Sequence, residues 1–398
     1  MSPSASSARR YDIDWLRVLA ILTVFIFHSG RFFDTGGWHV KNPSTYFGVQ
    51  MWTVFLAQWL MPLIFVISGA SIFFALSSRG NGQFVKDKAL RLLLPLVVGI
   101  FTHIALGVYL ERITHHQFAG SFFDFYPHYF EGLYGFGGNF AWMGLHLWYL
   151  EILFIFSLLF LPLFVWLKRG SGRRLMDGFA ALLAKSRLIY LLGLPIVVLL
   201  NVLDPRAPLG RTDFGGWSLV IYVIFFLYGF ILASSEQLQL TIQRLRWFSL
   251  EAGGILGVAL ALTWGSSGTD PVFGTPGYAL IFSMFGLSAW CWIQAILGFG
   301  MKHLNVNTPL LRRANEAVLP FYVMHQTVLL CVGFFVTQWP IPDFLKAVII
   351  SASSLVIILG LYEFLIRRHN LLRFLFGMKP LRSAPLSQQQ APVPVVGA

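Results

Sequence analysis

The chain has 398 residues, of which 56% are hydrophobic and only 12% charged, and its mean hydropathy is +0.68. That is about half the charge of an ordinary soluble domain, so lipid rather than water is its main solvent and a soluble globular enzyme is excluded. The formal net charge of +12 invites a nucleic-acid reading, which the placement of the basic residues removes.

Windows of about 20 apolar residues fall at 15–33, 51–76, 92–110, 146–167, 188–203, 217–233, 248–265, 278–299, 317–337 and 343–366. The fold class read from them is all-α, a polytopic integral membrane helix bundle of about ten transmembrane helices. The first window lacks a small-residue cleavage pattern and runs directly into Arg31, Phe32 and Phe33, so it reads as a retained span rather than a signal peptide. The segment 111–145, with "SFFDFYPHYFEGLYGFGGNFAWMG", carries too much aromatic surface for a linker and reads as a folded lid. His115, His116 and His128 in it read as solvated loop histidines rather than metal ligands, because adjacent histidines have poor ligand geometry and no cysteine joins them. Cys291 and Cys331 lie in apolar segments without ligand spacing and read as inert buried thiols. Residues 1–14 form a short leading segment, 15–366 the membrane domain, and 367–398 a basic and then Pro/Gln/Ala-rich tail that reads as disordered from Ser383.

With the N-terminus inside, all basic residues but Arg31, Lys41, Arg112, Arg206, Arg211 and Lys346 fall on cytoplasmic segments. The bias predicts both termini in the cytoplasm. It accounts for the net charge without nucleic acid and leaves an inner face attractive to anions.

The stretch "DWLRVLAILTVFIFHSG" places Arg17 and His28 eleven residues apart. On a helix that is three turns plus roughly 20°, so the two share a face about 16 Å apart along the axis. Asp14, three residues before Arg17, shares that face and can pair with it. Taken singly, a snorkelling arginine or a hydrogen-bonded interhelical histidine would explain each. Lipid-facing accidents have no reason to align.

Arginine, ten residues, histidine in the first span resembles the signature of the membrane-bound acyltransferase family 3. Four more segments agree in order. "PLIFVISGAS" (Pro62 to Ser71) is similar to that family's Phe-x-x-Ser-Gly segment, and "RLLLPLVVG" from Arg91 to its Arg-Leu-Leu-x-Pro entry to the third span. "HLWYLEILF" from His146 resembles its His-Leu-Trp-aromatic-Leu segment, and "LPFYVMHQTVL" (Leu319 to Leu329) its late Tyr-x-x-His segment. The wording "YDIDWLRVLAI" with "FLAQWLMPLIFVISGA" looks closest to the branch that contains periplasmic glucan succinyltransferases.

The resemblance implies transfer of an acyl group from a cytoplasmic donor, acyl-coenzyme A, to a hydroxyl of an extracytoplasmic or periplasmic glycan in a bacterial inner membrane. It implies no permanently bound cofactor, no metal and no nucleic-acid partner. Arg17 and Arg91 would hold the donor's phosphates, and the pantetheine arm would run beside the first helix to His28. His28 would act as general base on the acceptor hydroxyl or itself become acylated. His146 would contact the glycan or the developing oxyanion, against an alternative place beside Trp148 and Tyr149 in an aromatic belt. Glu151 lies about 140° around from His146, off its face, and as an intramembrane glutamate calls for a histidine or arginine partner on another helix. Tyr322 and His325 share a face and would line the cavity from the ninth span. Ser68 with Gly69 reads as a place of close helix approach rather than a nucleophile. His103 reads as structural, and Glu363 with Arg367 as a surface pair. A proton-coupled secondary transporter or exporter is the rival class, although no repeat or matched pair of broken helices supports it.

Overall fold

A computed structural model describes residues 9–78, 80–267 and 270–381. The tail from Ser383 lies outside the described residues. The described chain is helical, with two isolated β-bridges, Leu133 to Phe140 and Phe214 to Trp217. We number its helices α1 (Tyr11–Gly30), α2 (Phe47–Ser78), α3 (Asn81–Phe101), α4 (His103–Thr114), α5 (Phe122–His128), α6 (Leu145–Leu159), α7 (Leu161–Leu167), α8 (Gly170–Leu183), α9 (Leu188–Val202), α10 (Leu219–Ala233), α11 (Glu236–Ser267), α12 (Pro276–His303), α13 (Pro309–Val336), α14 (Asp343–Ile366) and α15 (Asn370–Leu375).

Six of these are long and apolar enough to cross a membrane: α1, α2, α11, α12, α13 and α14. Three bent pairs bring the number to at most nine: α3 with α4 at 44°, α6 with α7 at 52°, and α8 with α9 at 116°. The shorter apolar helix α10 covers the window 217–233. The sharpest bend lies in front of the window 188–203, where the amphipathic helix α8 breaks before α9 begins. The hydropathy of 188–203 alone gives no sign of α8.

Local sequence sets the helix starts. Thr275 and Thr308 each precede a proline, and their hydroxyls accept from the amides of Tyr278 and Leu311, capping α12 and α13. Ser121 and Asp124 form a capping box that starts α5 inside the segment 111–145. That segment is folded: Phe125 and Tyr129 are fully buried, and the Tyr129 hydroxyl donates to the carbonyl of Ile100 at 3.0 Å.

α1 packs against α2, α12 and α13, which surround it on one side. Its exposed large side chains are Leu19, Leu22 and Ile26, roughly 140–200° around the helix from Arg17. The Arg17–His28 face is therefore turned into the protein. α2 and α10 touch backbone to backbone. A Cβ on Gly69 would stand 1.9 Å from the carbonyl oxygen of Phe226, and one on Gly229 would stand 1.9 Å from that of Val66. Small residues permit the contact that lipid, having no hydrophobic drive of its own, leaves to van der Waals packing.

Candidate functional site

A cavity of about 1130 Å³ lies at the His28 end of α1, between the helices and the segments 31–46, 131–145 and 208–216. His28, His146, Trp148, Glu151 and Tyr322 all line it. So do Trp38, His39 and Tyr134, which the sequence motifs do not mark. Aromatic faces make up much of the wall, and the charged side chains Arg31, Glu151, Arg211 and Asp213 stand among them.

The tautomer of His28 follows from its partners. His325 is fully buried on α13, with its Nδ1 2.6 Å from the carbonyl oxygen of Tyr322. A carbonyl only accepts, so Nδ1 of His325 carries the hydrogen and Nε2 of the neutral ring has the lone pair. That Nε2 is 2.9 Å from Nδ1 of His28. Nδ1 of His28 must then donate, which leaves Nε2 with the lone pair and no partner among the described residues, on a ring that lines the cavity. Trp38 stacks on the same ring at 5.8 Å between centroids and 9° between planes, fixing its orientation from the other side. An imidazole with one nitrogen held by a buried acceptor and the other free is the arrangement of a general base or nucleophile.

Further histidines continue the row inward. The His325 and His146 rings are 4.9 Å apart and the His146 and His103 rings 6.3 Å. His146 Nε2 donates to the carbonyl of Val323 at 3.0 Å, so its Nδ1 holds the lone pair, buried and without a partner among the described residues. The backbone before it is unusual. Gly144 and Leu145 both adopt left-handed conformations, φ +72° and +49°, and residues 145–147 form a 3₁₀ turn before α6 proper. A non-glycine residue held at positive φ marks strain that the surroundings must support.

At the other end of α1, Arg17 donates to Ser71 Oγ at 2.7 Å and pairs with Asp14 at 3.2 Å, while Asp14 also holds Arg9. Between α2 and α6, the Tyr149 hydroxyl is 2.6 Å from Ser68 Oγ. Arg91 lies on the part of α3, Ala89–Leu93, that packs against α6. None of Arg17, Arg91, Ser68 and Tyr149 lines the large cavity.

An acyltransferase domain model matches residues 10–363 of the chain. The chain belongs to the acyltransferase-3 family. Proteins called glucans biosynthesis protein C from Salmonella paratyphi B, Salmonella dublin and Salmonella enteritidis are each 23% identical to it over 394 residues, covering 95% of this chain and 97% of theirs. No solved structure matches it. It is therefore a membrane protein of an acyl-transferring family, with an O-acyltransferase type of activity.

Two expectations from the sequence need correction. His325 does not line the cavity with Tyr322. Tyr322 lines it and donates its hydroxyl to the carbonyl of His146, whereas His325 sits behind, against His28. His146 and Glu151 both line the cavity although they project from different sides of the chain, with Trp148, Ile152 and Ile155 lining it between and beside them. Glu151 does not find a cationic partner either, since its Oε2 is buried and unpartnered among the described residues. Ser68 bonds to Tyr149 and Gly69 makes the close contact with α10. The Glu363–Arg367 pair forms at 2.5 Å, and His128 is exposed and pairs with Glu131. His103 Nδ1 is hydrogen-bonded to Thr327 Oγ1 at 2.9 Å, and its Nε2 is buried without a partner among the described residues.

Proposed function

We propose that the protein moves an acyl group from acyl-coenzyme A on the cytoplasmic side to a hydroxyl of an extracytoplasmic or periplasmic glycan, across a bacterial cytoplasmic membrane with both termini inside. The observation that carries this reading is the Nε2 lone pair of His28, unpartnered among the described residues on a ring that lines the cavity and is held in its tautomer by His325. In the proposed step, the acceptor oxygen attacks the thioester carbonyl as Nε2 of His28 takes the hydroxyl proton. The resulting imidazolium keeps its Nδ1 hydrogen bond to His325. Collapse of the tetrahedral intermediate forms the ester and breaks the carbon–sulfur bond, and His28 returns the proton to the departing thiolate.

Arg17 and Arg91 are the donor-binding pair in this reading, since a guanidinium matches phosphate geometry and stays charged. Their distance from His28 suits a long, thin donor: about 16 Å of helix separates Arg17 from His28. The names of the relatives suggest a glucan as acceptor. The lone pair of His146 and the buried oxygen of Glu151 are acceptor-side groups in the same cavity.

The test is mass spectrometry of glycans from a deletion strain carrying wild type, His28→Ala or Arg17→Ala. An acyl ester present with wild type and absent with both variants is the expected result. Ester formation that survives His28→Ala refutes the role of His28. Intact esters with failed export would instead favour a transporter.

A further inference from the structure

A second imidazole faces the cavity, from a segment that none of the family motifs covers. His39 lies in the connection 31–46 between α1 and α2, and it lines the cavity with its neighbour Trp38. Its Nδ1 is hydrogen-bonded to Glu111 Oε2 at the end of α4. That carboxylate is itself built in. Glu111 is only 7% exposed, accepts from the Tyr134 hydroxyl at 2.7 Å, and pairs with Arg112 at 3.1 Å. Arg112 is fixed in turn by Asn139 Oδ1 at 2.8 Å and the carbonyl of Gly138 at 3.0 Å. Burial, and after it the carboxylate of Glu111, push the Tyr134 phenol above its ordinary range, so Tyr134 stays a proton donor to Glu111.

Three separate pieces of chain thus converge to hold one imidazole. A tether for the segment 31–46 would not need them, because Asp34 already supplies one: it is fully buried and bonded to Arg31, to Lys41 at 2.8 Å and to Thr53. A carboxylate fixing Nδ1–H of a histidine leaves Nε2 as the working atom, and Nε2 of His39 has no partner among the described residues. The Trp38 ring stands between the two imidazoles, 5.8 Å from His28 and 5.7 Å from His39. Trp142, Trp148 and Phe214 add aromatic faces to the same cavity. Flat apolar faces with a few fixed hydrogen-bonding atoms between them fit a polyhydroxylated ring, which has apolar C–H faces and polar edges.

We propose that His39, fixed by Glu111 and Tyr134, is a positioning residue that holds one hydroxyl of the acceptor sugar through Nε2 while His28 activates another. The inference rests on the glycan reading above. It assigns the acceptor side of the cavity to the wall formed by Trp38 and His39.

The imidazole has two isosteric amides that separate its two ends. The Asn side-chain nitrogen overlies Nδ1 and keeps the bond to Glu111, whereas the Gln side-chain amide reaches the place of Nε2, where its oxygen keeps an acceptor toward the cavity. The full chain in nanodiscs is assayed with acetyl- and succinyl-coenzyme A as donors and a mixture of glucose oligosaccharides as acceptor. His39→Asn is expected to raise the acceptor KM about tenfold, the worth of one hydrogen bond, and His39→Gln by about threefold or less. The donor KM and the rate of thioester hydrolysis without glycan stay unchanged in both. The reverse order, with Asn active and Gln impaired, is what a mere tether would give and overturns the proposal, as do two variants with wild-type KM. If either variant fails to fold, His39→Ala is judged by its ratio of ester formed to thioester hydrolysed. That ratio falls about tenfold if the proposal holds, and an unchanged ratio overturns it. A wild type that hydrolyses donor through His28 but acylates no oligosaccharide contradicts the glycan reading itself, and the inference with it.

Discussion

His325 is the residue on which the chemistry of His28 depends without touching the cavity. Truncation by His325→Ala removes the acceptor 2.9 Å from Nδ1 of His28. In the resting state this frees the imidazole to put its hydrogen on either nitrogen, and in the transition state it leaves the forming imidazolium without its buried partner. A hydrogen bond to a charged group contributes about 1.5–3 kcal/mol, so kcat should fall by about 10- to 100-fold. The donor and acceptor KM values should stay close to wild type, because His325 is fully buried behind His28. His325→Gln offers an amide oxygen near the former Nε2 and should recover much of the loss. His28→Ala, which removes the base itself, should cost about 100- to 10,000-fold. The assay is release of thiol from acyl-coenzyme A with ester formation measured in parallel, on protein of unchanged melting temperature in nanodiscs. Refutation would be a folded His325→Ala variant with kcat within twofold of wild type, or one that loses donor affinity instead of turnover.

Further outcomes follow from the same geometry. Arg17→Ala should weaken acyl-coenzyme A binding more than His28→Ala does, and Arg17→Lys should also be impaired if phosphate is gripped by the fork of the guanidinium; donor affinity equal to wild type in both would remove the role. Gly69→Ala puts a methyl 1.9 Å from the Phe226 carbonyl oxygen, and overpacking of that kind costs about 1–3 kcal/mol, read as a lower melting temperature with no change in which donor is used. Asp34→Asn leaves Arg31 and Lys41 around a neutral amide and should destabilise the segment 31–46 by about 3 kcal/mol, seen as faster proteolysis there.

The bundle was legible because membrane helices announce themselves by apolar length, and the alignment of Arg17 with His28 was legible because it lies within one helix. α1 needs only the 100° step, and its exposed Leu19, Leu22 and Ile26 mark the opposite side. The pairing of His28 with His325 joins residues 297 apart in sequence, and nothing local to either residue encodes it. His325 is visible as a motif residue and does lie beside Tyr322, their rings 5.5 Å apart, but that spacing gives a shared direction and says nothing of what each side chain meets. His146 and Glu151 lie on different faces of the wheel yet line one cavity, because how far a cavity wraps around a helix is set by neighbouring segments and not by the helix's own spacing. His39 and Glu111 lie outside every motif. A histidine beside a tryptophan just after the first span was the one available signal, and it gains meaning only when the folded segments 31–46 and 131–145 bring Tyr134 and Glu111 to it.

The central claim is that a donor lies along α1 with its anionic end at Arg17 and Arg91 and its reactive carbon at Nε2 of His28. A cryo-electron microscopy map of the full chain in nanodiscs with a non-hydrolysable thioether analogue of acyl-coenzyme A tests it most directly. The account predicts nucleotide density at the two arginines and the acyl carbon beside His28, with the pantetheine arm passing the Ser68–Tyr149 pair. Density for the nucleotide in the cavity beside Trp38, or an acyl carbon remote from His28, would contradict it.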